Sequence, residues 1–296
     1  MNIFKLSIGS RFHRFLSVNN YEADTKKRFP YYQIGTDGKM RHFAICPGCN
    51  NPIQIIGVEG RPDNMPHPYG KHYASSVVSL APYSQEDFDG CPLAAKNSIA
   101  PDKTAKKTPA SSLPAEILSV LRKDFDRVAL VIQKAIGIKI TVNLAERMLI
   151  NYLAEEGFRY KHASLVNIPW IFAYMSDSQS LFGRVVQDEN LRTAITDSVP
   201  NAVFTNNNQL SVAQSSTGKK EFLDINFCLM HHAIAPVNRE IQESLKLVVS
   251  YKDKDIFEKK IIFDYEQFQS LLAIPDGKGF RNSDLLDLAA KTITND

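Results

Sequence analysis

The chain has 296 residues, 44% of them hydrophobic and 23% charged, with a formal net charge of +3. That is the make-up of a globular protein with core enough for one large domain or two ordinary ones. No run approaches the ~18 uninterrupted apolar residues of a membrane helix, and no secretory apolar segment is visible, so no membrane contact and a reducing cytoplasmic setting are expected.

The charge is uneven. Residues 1–112 hold 14 Lys+Arg against 9 Asp+Glu, and the first 41 residues hold 8 against 3. Met1 to Val18 carries no acid and has the composition of a mitochondrial transit peptide. The preferred reading is a folded element that buries Ile3, Phe4, Leu6, Ile8, Phe12 and Phe15. Cations and aromatics then interleave: Arg11, Phe12, Arg14, Phe15; Lys26, Lys27, Arg28, Phe29; Lys39, Arg41, Phe43. Proteins that hold single-stranded nucleic acid use such cations for phosphates and such rings for bases. Arg11, Arg14, Lys26, Lys27, Arg28, Lys39 and Arg41 are therefore the candidate DNA- or RNA-binding residues. A core-facing aromatic set with a solvated charged face gives the same pattern.

Tyr31 to Ile34 and Met40 to Ile45 read as two strands around a Gly35-Thr36-Asp37-Gly38 turn. The second runs into Cys46-Pro47-Gly48-Cys49, a bend that sets two thiols on one side of a metal. A hairpin feeding a CxxC turn is an arrangement shared with zinc ribbons and treble clefs. Two sets complete a tetrahedron. Cys46, Cys49, His67 and His72 form one; Cys46, Cys49, His72 and Cys91 form the other. The Cys3His set is preferred, because it uses the third thiol and because prolines flank His67. With four protein ligands, Zn2+ is expected to be structural. No His-x-Glu precedes the cysteines, as a zinc deaminase requires.

Residues 96–112 are poor in bulky apolar groups and read as a linker or surface loop between a basic zinc-binding module (1–95) and an α+β domain (113–296). From Pro114 onward, Ile117, Leu121, Phe125, Val128, Ile132 and Ile136 mark a helix ended by Gly137. A second helix follows, with Asn143 as N-cap and Glu146 completing a capping box. A third starts at Asn167-Ile168-Pro169, and helical pattern resumes over 188–196. The runs 222–233, 244–251 and 255–264 are rich in Val, Ile and Phe and suggest an antiparallel meander; two helices close the chain. The fold class is α+β: a small zinc-stapled β-hairpin module followed by a helical and antiparallel-sheet domain.

No complete catalytic motif can be assembled, and the chain leans away from an enzyme. Glu258-Lys259-Lys260, with Asp224 or Asp253 upstream, has the form of a nuclease strand but also of any solvated strand. Cys228 and His232 fall on one strand face, with His231 opposite. Gly157 to His162 is a basic patch between helices, and Asp276 to Gly279 is a turn without phosphate-loop spacing. The leading expectation is a zinc-stabilised protein docking DNA or RNA through its N-terminal module. The alternatives are an interaction protein or regulated effector, such as a toxin or defence component, and a hydrolase or nuclease with a site in the C-terminal domain.

Overall fold

A computed structural model describes residues 1–35, 37–59, 67–94, 97–213, 222–237 and 240–294. Strand β1 (Ile3–Phe4) pairs antiparallel with β2 (Arg14–Phe15), and helix α1 (Val18–Thr25) follows. Ser17 caps α1 by accepting the Asn20 N–H at 3.1 Å. Strands β3 (Tyr32–Ile34), β4 (Met40–Ile45), β5 (Pro52–Ile56) and β6 (Tyr69–His72) form an antiparallel sheet in that order, and α2 (Gln85–Gly90) lies beyond it. The β3–β4 turn is closed by Gly35 N–H to Lys39 O at 2.8 Å, with Gly38 at φ +74°; its Thr36 lies outside the described residues.

Both helices and antiparallel sheets build the rest of the chain. Helices α3 (Leu113–Ile136), α4 (Val142–Ala154) and α5 (Ile168–Tyr174) precede β7 (Gln179–Ser180), α6 (Glu189–Ser198) and the hairpin of β8 (Ala202–Phe204) and β9 (Leu210–Val212). The long strands β10 (Ile225–Val237), β11 (Glu240–Tyr251) and β12 (Lys254–Ile262) follow, then α7 (Tyr265–Ala273) and α8 (Ser283–Thr292). Their sheet runs β12-β11-β10-β7 and is antiparallel throughout. The α+β expectation is met. Among the described residues no helix is long and apolar enough to cross a membrane.

Two clusters of buried side chains result. The larger centres on α3, whose Ile117, Leu121, Phe125, Val128, Ile132 and Ile136 are all buried. Burying such a side chain stabilises by ~1.5–3 kcal/mol each. Trp170 of α5 stacks on Phe263 at 4.9 Å and seals the helices against the sheet. The smaller gathers Phe4, Leu16, Tyr21, Ile53, Ile55 and three cysteines around β4 and β5. The clusters meet where Asn50 donates to Glu116 of α3 at 2.7 Å and Leu165 N–H donates to Gly48 O at 3.3 Å.

Several expectations are corrected. Phe12 and Phe15 are exposed, not buried; Leu16 and Tyr21 take the core positions, because β2 presents both of its side chains to solvent. The α4 cap is Thr141, whose hydroxyl accepts from Leu144 N–H at 3.4 Å, so Asn143 lies inside the helix and the capping box is not formed. Lys107, in the stretch read as a linker or surface loop, is 1% exposed, held by Lys107 N–H to Arg159 O at 2.6 Å and by its ammonium on Lys161 O at 2.6 Å. Lys96 lies outside the described residues. Tyr160 and His162 are buried, so the 157–162 segment is not a free basic surface.

Candidate metal centre

The Cys46–Cys49 turn sits at the tip of the β4–β5 hairpin, where Ile45 faces Pro52. Cys46 N–H donates to Asn51 O at 2.9 Å and Asn50 N–H to Cys46 O at 3.1 Å; Asn50, at φ +60°, turns the chain back into β5. His72 ends β6 opposite Ile53 of β5, so one sheet fixes three of the four side chains. Cys91 follows α2 directly. Asn51 docks that helix: its Oδ1 accepts Ser84 N–H at 2.6 Å and its Nδ2 donates to Ser84 O at 3.1 Å and to Cys49 Sγ at 3.4 Å.

Two glycines are needed for this approach. A Cβ on Gly48 would come within 3.3 Å of Cys91 Sγ, and one on Gly90 would lie 2.2 Å from Lys161 O. A larger residue at 48 would crowd Cys91, and one at 90 would push the end of α2 away from Lys161.

The ligating atoms of Cys46, Cys49, His72 and Cys91 all lie within 4.8 Å of one another. Cys46 Sγ is 3.7 Å from Cys91 Sγ, and Cys49 Sγ is 3.3 Å from His72 Nε2. A tetrahedral ion with metal–sulfur bonds of ~2.3 Å has sulfur–sulfur edges of ~3.8 Å and slightly shorter sulfur–nitrogen edges. The four side chains are positioned to hold a metal ion. All three thiols are free, and 3.7 Å is far beyond the ~2.05 Å of a disulfide.

Burial pushes the Cys49 and Cys91 thiols up. Burial acts on Cys46 in the same sense, yet hydrogen bonds from the other two thiols and from the backbone of Cys49 and Gly48 bring it well below the ordinary thiol value. A bound dication would favour all three in their charged form. Three thiolates around a dication leave one negative charge, and the buried ammonium groups of Lys5 and Lys107 stand nearby with charges of the opposite sign.

His67 is exposed and lies outside the cluster. The alternative CxxC/H-x4-H set is not assembled. The nucleic-acid candidates are divided. Arg11 pairs with buried Asp124, Arg14 with Asp24 at 2.5 Å, Lys27 with Glu22 at 2.8 Å and Arg41 with Asp37 at 3.4 Å. Lys26, Arg28 and Lys39 are exposed and form no ion pair among the described residues. Glu258 is exposed and pairs with Lys246 at 2.8 Å. No second metal-ligand cluster forms among the described residues, so the nuclease-strand motif gathers no carboxylates.

Cys228 and His232 do not share a face. The β10–β11 register slips between Met230 and Ala233, with His231 at φ +56°. Such a bulge flips the alternation, so Phe227 and Leu229 point inward before it and His232 and Ile234 after it. His232 Nε2 then meets Glu243 Oε1 at 2.6 Å and its Nδ1 meets the Tyr160 hydroxyl at 2.9 Å. Asn167 and Tyr265 also donate to Glu243. The sequence did not suggest this network, whose His232, Glu243, Asn167 and Tyr160 are buried.

Comparisons with protein-family models, with curated proteins and with solved structures gave no match.

Proposed function

We propose that this is a zinc-stabilised nucleic-acid-associated protein, in which a closed Zn2+ site holds an N-terminal module that docks single-stranded DNA or RNA. Three thiolates and an imidazole are a common structural zinc set, and they leave no open position for a reacting water. The observation that carries the docking reading is the exposure of three phenylalanines, Phe12 at 44%, Phe15 at 51% and Phe29 at 60%, in a segment that also exposes Arg14, Lys26 and Arg28. Rings left in solvent beside cations offer stacking faces next to phosphate partners, at ~1–3 kcal/mol per stacked base.

The test is fluorescence anisotropy with labelled single-stranded DNA and RNA over a series of salt concentrations. Affinity falls steeply with salt, and replacing Lys26, Lys27 and Arg28 together by alanine flattens the slope by roughly two to three counterions. Phe15→Ala with Phe29→Ala weakens binding about tenfold or more at every salt concentration. Salt-independent affinity, or none, contradicts the reading.

A second reading, an interaction protein that uses zinc only for architecture, is favoured by one feature. Ile34 and Met40 face each other across β3 and β4 at 72% and 45% exposure, and Val78, at 73%, accepts from the neighbouring Gln33 amide at 3.4 Å. Exposed apolar patches of this kind mark protein-binding surfaces.

A further inference from the structure

A cleft of about 450 Å3 opens beside the metal centre, bounded by the N-terminal segment, Pro47 of the knuckle, α3 and α7. That volume falls in the ~300–1,000 Å3 range of small-molecule sites. Its charged lining is Lys5, Arg11 and Lys123 against a single carboxylate, Glu116. Glu116 is already engaged by Asn50 at 2.7 Å and Ser112 at 3.3 Å, and Asp124, the partner of Arg11, is also paired with Arg127 at 2.9 Å. His13, also in the lining, is driven down to about 4 by burial and by the nearby Lys5 charge, and is neutral at physiological pH.

Lys5 is the unusual member. It is only 3% exposed, it forms no ion pair among the described residues, and its ammonium has two long contacts of 3.4 Å, to Ile8 O and Ser10 O. Negative charge reaches it only across space, from Glu116 and the Cys46 and Cys49 sulfurs, and among the described residues no direct ionic partner offsets its desolvation. An anion in the cleft supplies that partner. Lys123 is exposed at the same cleft and free to close on it.

We propose that this cleft binds a phosphomonoester of nucleoside size, its phosphate on Lys5 and Lys123 and its body against Phe12 and Val120. With Arg11 taken up by Asp124, Lys5 and Lys123 still outnumber the single carboxylate Glu116, and two ammonium groups suit the several oxygens of a phosphate. The half-exposed ring of Phe12 gives a heterocycle a stacking face. Two sources share this chemistry, a free mononucleotide and the 5′-phosphorylated end of a strand. The inference does not depend on the docking reading above.

Isothermal titration of the zinc-loaded full chain with AMP, adenosine and inorganic phosphate tests it. AMP binds at least about tenfold tighter than adenosine. Lys5→Met abolishes AMP binding while the zinc content stays at one equivalent per chain, which separates loss of the anion contact from loss of the fold. Lys123→Ala, a surface change with no folding consequence, weakens AMP several-fold. A 5′-phosphorylated oligonucleotide that competes with AMP, when its 5′-hydroxyl counterpart does not, identifies a strand end as the source; failure to compete identifies the free nucleotide. AMP binding no tighter than adenosine, or unchanged by both substitutions, overturns the proposal.

Discussion

The cluster around β4 and β5 gathers eleven buried apolar residues among those described, and three of them are the cysteines of the metal centre. The cluster around α3 has no cysteine, and it closes on side chains drawn from every helix from α3 to α8 and from β10, β11 and β12. The smaller cluster has less apolar burial to set against its chain entropy, and a metal held by its four side chains would add folding energy there. The larger cluster needs no such help. Its problem is the opposite one, polar groups enclosed in a large interior, and it meets that with networks: Asp124, Asp126 and Arg127 are all at most 1% exposed and are satisfied by one another, by Arg281 and by Arg11.

That contrast breaks cleanly under substitution. Cys46→Ser removes one metal ligand and has the largest expected effect. Residues 32–94 lose amide-exchange protection while 113–292 keep it. The local loss is several kcal/mol, against ~10–16 kcal/mol of zinc binding in isolated zinc-finger peptides. Uniform loss of protection along the chain would show one cooperative unit instead. Arg127→Ala does the reverse. It takes from Asp124 its one buried cation and leaves Ile274 O, which Arg127 contacts at 2.7 Å, without its donor. A cost of ~3–5 kcal/mol in urea denaturation is expected, with metal content unchanged.

The smallest effect depends on pH. Burial, with minor contributions from His232, Lys107 and Lys161, lowers His162 from the ordinary 6.5 to about 4. Its folded value lies below its unfolded one, so its contribution is complete above about 6.5 and is lost as pH falls toward 4, by at most ~1.4 kcal/mol per pH unit. The stability difference between wild type and His162→Leu, measured by urea denaturation across that window, shrinks as pH falls. A constant difference contradicts the buried neutral imidazole.

What could be read without coordinates follows from how local each signal is. The α3 stripe is visible because helical period and burial coincide over 24 residues. The ligand set is visible because cysteine, histidine and proline-glycine bends are rare enough to stand out. Strand β6 was not visible: Tyr69-Gly70-Lys71-His72 has weak strand propensity, and it is a strand only because the knuckle returns β5 beside it. The bulge at His231 was hidden for the same reason, since no local residue announces the slip that turns His232 inward. Nothing local in the sequence marks Lys5, Lys107 and Arg127 for burial, yet each is at most 3% exposed. The basic N-terminus looked stronger on paper than it stands in space, because Asp24, Glu22, Asp37 and Asp124 take up four of its seven candidate cations.

The central claim is that Cys46, Cys49, His72 and Cys91 hold one structural zinc. Metal analysis combined with thiol titration of the native protein tests it most directly. The account predicts one equivalent of zinc per chain, Cys46, Cys49 and Cys91 protected, and Cys228 alone open to reagent until a chelator is added. A protein that carries no metal, or whose buried thiols stay protected with none bound, would contradict it.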